Sequence, residues 1–349
     1  MSLHPITDVA GLHRHLEAAI QLEHATIPPY LTALYSIRPG TNSAARQVLR
    51  AVAVEEMLHL TLAANILNAV GGSPDLTVPG FVPVFPAYLP DGETDFQVGL
   101  RRFSTEAVDT FLKIERPAPA DSESIRTVKR PPNAAMLGAG KVTDDGDEHF
   151  YSIGEFYHAI EDALIRLEAE HGAQLFSGDP SRQITPEFYY SGGGEIIPVT
   201  DLAAARAAIR LIAEQGEGDG GAIFDYEDEI AHYYRFQQLV LGRYYQAGDV
   251  AGSPSGLPVD VEWGAVYPIK TNARVADYPE GSELRRAAEA FNGEYAGFLA
   301  SLTRAFQGEP ALLNEAVGDM FRLKELAGQL MRQPLDDAGT EHAAPTFEV

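Results

Sequence analysis

Glutamate and histidine three residues apart on a helix share a face and can bind one metal ion together. The sequence contains four such Glu-x-x-His motifs, at 56/59, 155/158, 168/171 and 229/232. Among this many glutamates about one match is expected by chance, so spacing alone decides nothing and position must. A carboxylate-bridged two-metal bundle takes a single Glu and a Glu-x-x-His from one helix pair and the same from a second pair. The chain offers that set in order: Glu23, then Glu56 with His59, then Glu155, then Glu229 with His232. The expected site is therefore four carboxylates and two imidazoles. Oxygen and nitrogen ligands of this kind suit iron first, with manganese as the other candidate.

The elements needed to position these residues are legible from apolar spacing. Thr7-Asp8 offers a helix cap, and Leu12, Leu16, Ile20, Glu23, Ile27, Tyr30 and Leu34 recur on one face of a helix over about 8–36, with Pro28 and Pro29 expected to kink it. After the turn at Pro39-Gly40, a second helix over 42–70 carries Val52, Glu56, His59, Ala63, Ile66 and Val70 on one face. Glu23 and Glu56 lie equally far from that turn, so at about 1.5 Å of rise per residue they come level in an antiparallel pair.

Third and fourth bundle helices are predicted over 152–171 and 224–246, with a short alanine-rich helix from Thr200-Asp201 to about Gly216 between them. Residues 71–150 read as an irregular crossover between the halves, holding one helix near Thr105 to Ile114 and the polar stretch Ala118 to Pro132. Two more helices are expected over 282–307 and 310–332, followed by an irregular tail after Pro334. The fold class is mainly α, a ferritin-like four-helix bundle with a long crossover insertion and additional C-terminal helices, in one elaborated domain over 1–349.

On the third helix the apolar stripe Ile153, Phe156, Ile160, Leu164, Leu167 does not run through Glu155, so His158, Glu161 and Asp162 compete with it for the ligand role. Glu168 and His171 fall about 20 Å further along and read as a solvated helix end. Tyrosines at 189–190, 233–234 and 244–245 at helical or near-helical spacing read as core, and Gly192-Gly193-Gly194 lacks the strand and helix of a phosphate loop.

Composition narrows the partners. Fifty acidic against twenty-six basic residues give a net charge of -24, which repels nucleic acid and anionic membrane faces. Zero cysteines exclude thiolate zinc and cysteine-ligated iron–sulfur sites. No signal peptide or long apolar run is evident, so a cytoplasmic location is expected.

The segments Leu22–Leu31 (LEHATIPPYL), Glu55–Leu60 (EEMLHL), Ile153–Tyr157 (IGEFY), His232–Phe236 (HYYRF) and Pro345–Glu348 (PTFE) resemble the ferritin-like domain of the iminophenyl-pyruvate dimer synthase family. That family includes enzymes of violacein and rebeccamycin biosynthesis, in which the ferritin-like part is joined to another large region. The resemblance spans nearly the whole sequence. It implies ligand roles for Glu23, Glu56, His59, Glu155, Glu229 and His232, and favours Glu155 over its neighbours. The ligand set points to a two-metal oxidoreductase, and the resemblance suggests secondary metabolism and a small aromatic or amino-acid-derived substrate. The alternatives are imine coupling without net oxidation and non-enzymatic iron binding or storage. A second copy of the chain, or an enzyme of the same pathway, is the expected protein partner.

Overall fold

Asp8 starts the first helix by accepting the Gly11 N–H at 2.7 Å, and α1 (Val9–Ser36) then continues through both Pro28 and Pro29. In the computed structural model, residues 4–91, 95–118, 150, 152–189, 192–218, 221–225 and 227–349 are described. The predicted polar stretch beyond Ala118, together with Tyr190 and Tyr226, lies outside them. The turn 37–42 leads into α2 (Ser43–Ala69), and its last residue Asn42 is pinned by two side-chain hydrogen bonds to the backbone of Glu262. Helices α1 and α2 form the most extensive pair in the molecule.

The chain then leaves the bundle. Along the crossover, α3 (Thr105–Ile114) is capped by Ser104 and packs on α1. The bundle resumes with α4 (Ile153–His171), capped by Ser152, and α5 (Leu202–Glu217), capped by Asp201. Helix α1 packs on α2 and α4, and α5 packs on α2 and α4, so these four close a ring. In this order α1 and α2 make one pair, α4 and α5 the other, and the long connection crosses between the pairs, as in the ferritin-like architecture.

The fourth bundle position therefore belongs to α5, the alanine-rich helix, and not to a helix over 224–246. The reason is local. The Asp225 side chain accepts the Glu227 and Glu229 amides, Asp228 adopts a positive φ of 61°, and Phe224 pairs with Ile230 as a bridge, which together form a tight turn that no helix can include. Helix α6 (His232–Leu241) starts only after this turn and stops at Gly242, whose φ of 70° is the left-handed conformation of a helix C-terminus. It packs on α3, α5 and α2.

From Leu58 to Ala69 every residue of α2 is buried, which a two-sided helix requires a second layer to achieve. That layer is the hairpin of α7 (Glu283–Phe306) and α8 (Leu312–Met331), tied to α2 by the Asn68 amide donating to the Phe306 carbonyl at 2.8 Å. The tail is irregular, yet Phe347 is buried edge-on to Phe291 and Tyr295 of α7. No helix among the described residues is long and apolar enough to cross a membrane.

Candidate metal centre

Two trios of buried side chains meet inside the bundle. Glu23 of α1 joins Glu56 and His59 of α2, and Glu56 also joins Glu115 and His232; within each trio one ligand-type atom per residue lies within 4.8 Å of the others. All five side chains are at most 2% exposed. Glu56 belongs to both trios, the position a bridging carboxylate holds between two ions.

Each histidine is oriented by a partner on its far side. His59 donates Nε2–H to Gln215 Oε1 of α5 at 2.9 Å, which turns its Nδ1 toward Glu23 (3.5 Å) and Glu56 (4.0 Å). His232, the first residue of α6, donates Nε2–H to Glu55 Oε2 at 2.6 Å and presents Nδ1 to Glu56 at 3.1 Å and Glu115 at 3.4 Å. Metal-binding histidines are characteristically fixed in this way, with the second nitrogen held by a carboxylate or carbonyl.

The terminal carboxylates are held by phenols. Tyr157 of α4 donates to Glu23 Oε1 at 2.6 Å, and Tyr30 of α1 donates to Glu115 Oε1. Burial, then the neighbouring carboxylates, push both phenols well above their ordinary range, so both keep the proton they donate. Thr26 Oγ lies 2.9 Å from Glu56 Oε2.

The electrostatics are those of a site built around positive charge. Burial and the Glu115 carboxylate push Glu56 up to about 8. Burial works against a charge on His59 and His232, but Glu23 for the first and Glu115 with Glu55 for the second outweigh it and raise both rings. Protons here do part of what a cation would do. His232 Nδ1 is fully buried and faces the Glu56 and Glu115 carboxylates, so on losing its proton it points a lone pair inward, as a metal-binding imidazole must. Three carboxylates and two outward-anchored imidazoles converging on one pocket fit two hard or borderline divalent ions.

Of the residues singled out by spacing, Glu23, Glu56, His59 and His232 come together. Glu155 does not join either trio: it occupies the first turn of α4, its N–H bonded to Ser152, where an acid favours the helix dipole. Glu229 is 57% exposed and accepts from Arg235, whose guanidinium also grips Glu55 at 2.8 Å, so Glu229 supports His232 at two removes. His158 is 71% exposed beside Glu161, which pairs with Arg206.

Glu115 was not singled out by the Glu-x-x-His pattern, because it is the C-cap of α3 inside the crossover. A signal exists nonetheless: Val108, Phe111 and Glu115 continue one face at spacings of three and four, so the apolar stripe of α3 ends on a carboxylate. Gln215 and Glu55 carry no spacing signal. The glycine triplet supports the site instead of binding phosphate: Gly193, at φ 81°, offers its carbonyl to the Gln215 amide at 2.6 Å, and a Cβ there would fall 2.3 Å from Glu55 Cγ.

The fold and this geometry define the class. The chain belongs to the ferritin-like family, whose model matches residues 16–241. It is similar to dichlorochromopyrrolate synthase of Lentzea aerocolonigenes, at 26% identity over 99% of this chain, and spans 36% of that relative's length. Among solved structures it is similar to a ferritin-like protein from Caulobacter vibrioides, at 24% identity and a TM-score of 0.59, covering 92% of this chain and 97% of that one. The resemblance drawn from the sequence segments thus holds for fold and family.

Proposed function

We propose that the chain is a two-metal oxidoreductase, loaded with iron, that acts on a small aromatic or amino-acid-derived substrate of secondary metabolism. The observation that carries this reading is the pair of buried trios sharing Glu56, with each histidine turned inward by its own outer partner. One ion would be held by Glu23, Glu56 and His59, the other by Glu56, Glu115 and His232. When bound, such ions supply redox chemistry with dioxygen and polarise bound oxygen atoms.

The protein's part is positioning and exclusion of water. Tyr157 and Tyr30 fix the rotation of the terminal carboxylates, and Ile153, Ile212 and Ala213 wall the pocket. The cavity among these groups is about 10 Å³, room for a single water-sized molecule. An aromatic substrate must bind against the wall of that space or widen it.

A second reading, imine coupling without net oxidation, is favoured by the synthase relative, which aligns over 99% of this chain. The two differ in oxygen uptake. Metal-free protein is loaded anaerobically with ferrous iron and then exposed to air, alone and with aromatic 2-oxo acid imines. The oxidoreductase reading expects two iron ions per chain and oxygen consumption; coupling without any oxygen uptake supports the second reading, and absence of a two-iron species sinks both.

A further inference from the structure

Glu217, the last residue of α5, is a buried carboxylate with no part in either trio. It lines the same cavity as Glu23, Glu56, His59 and Glu115. The other buried carboxylates near the site are already committed: Glu55 to His232 and Arg235, and Asp225 to the turn before α6. Among the described residues Glu217 is held by neutral donors: the Gly154 N–H at 2.6 Å on Oε1, the Ala118 N–H at 3.1 Å on Oε2, and the Ser152 hydroxyl.

Its surroundings are cut to keep it there. A Cβ on Gly154 would fall 2.7 Å from a Glu217 oxygen, so glycine at 154 leaves room for the carboxylate at the start of α4. On the next residue back, a Cβ on Gly216 would stand 3.7 Å from Glu115 Oε2, so this end of α5 abuts the second trio directly.

Charge supplies the second argument. Glu23, Glu56 and Glu115 bring three negative charges to a buried site, one short of neutralising two divalent cations. An uncompensated buried charge is expensive.

We propose that Glu217 is the fourth carboxylate of the metal centre, leaving the Gly154 amide to bind the ion on the Glu115 side when both ions are present. This rests on the two-metal reading above. In that arrangement α5, the fourth bundle helix, contributes its carboxylate from its C-terminal end, while α6 supplies the second histidine.

The test uses the full-length chain, stripped of metal and titrated with Mn2+ by calorimetry. Wild type takes up two ions. Glu217→Gln keeps an acceptor for the Gly154 N–H but loses the charge, and weakens binding of one ion by more than about 100-fold, beyond the 10–100-fold that loss of an outer partner costs, while the other ion binds as before. A crystal structure of the wild type with Mn2+ gives a readout independent of the variant's folding, with Glu217 moved onto the ion. Unchanged affinities in Glu217→Gln, or a carboxylate still seated on the Gly154 amide with two ions bound, overturn the assignment of Glu217 alone. Uptake of fewer than two ions by wild type overturns the two-metal reading itself and this inference with it.

Discussion

Glu56 is the residue on which both trios depend, and this sets its variants apart from those of its neighbours. Glu56→Ala is expected to weaken binding of both ions, whereas Glu23→Ala and Glu115→Ala each weaken one, by more than the roughly 10–100-fold of an outer-partner loss. Calorimetric titration with Mn2+ separates these patterns, and equal effects from all three would contradict the bridging role. The same residue dictates a pH dependence. Glu56 is raised from 4.5 to about 8, and His59 and His232 are raised from 6.5, so the metal-free fold binds more protons than the unfolded chain. Their contribution to stability is complete below the unfolded values and is lost as pH rises through the folded ones. Melting of metal-free protein should fall between about pH 6.5 and 8 on this account, and bound metal, which displaces these protons, should flatten that slope. A melting temperature that climbs over this window without metal would refute the assignment.

At the level of elements, the site is assembled from termini as much as from helix middles. Glu115 closes α3 and His232 opens α6; the turn around Asp225 leads into His232, and the loop around Gly193 holds Gln215 and abuts Glu55, the outer partners of His59 and His232. The loop is the more sensitive of the two. Gly193→Ala places a methyl within 2.3 Å of Glu55 Cγ at a φ of 81°, so it both strains the backbone and disturbs the residue that orients His232. Loss of the Glu55 carboxylate in Glu55→Ala is expected to cost about 10–100-fold in metal affinity, because the imidazole loses its anchor. Gly193→Ala should reproduce that loss and lower the melting temperature as well; metal binding at wild-type affinity in both variants would show that the outer partners do not matter. Tyr30→Phe tests the other terminus. It leaves the buried Glu115 Oε1 without its phenol donor and should destabilise the fold by about 1–3 kcal/mol, read by denaturant unfolding.

At the scale of the molecule, the additions to the bundle bear on whether it stores iron or transforms a substrate. The α7–α8 hairpin packs on α1 and α2 and the tail packs on α7, adding a layer to the bundle that a compact cage subunit does not need. Tyr295 of α7 reaches His24, the residue beside Glu23, at 2.5 Å, and burial lowers that ring to about 3, so the contact is between neutral groups. Light scattering is expected to return a monomer or dimer, and a large closed assembly would restore the storage reading.

The local order of the chain was decided by sequence alone. Apolar spacing, caps at Asp8, Ser104, Ser152 and Asp201, and the turn at Pro39-Gly40 follow from propensity and periodicity, and with them the level placement of Glu23 and Glu56. Packing decided the rest. Which helix fills the fourth place depends on a turn made by Asp225 and Asp228, a side-chain effect that periodicity does not register. Glu155 and Glu229 satisfy the spacing rule, but Glu155 stands in the first turn of α4 outside both trios and the Glu229 carboxylate pairs with Arg235, placements that spacing does not register. Glu115 and Glu217 are far apart in sequence and meet only because α3 and α5 end beside the same pocket, a proximity that exists only once the crossover has folded back across the bundle.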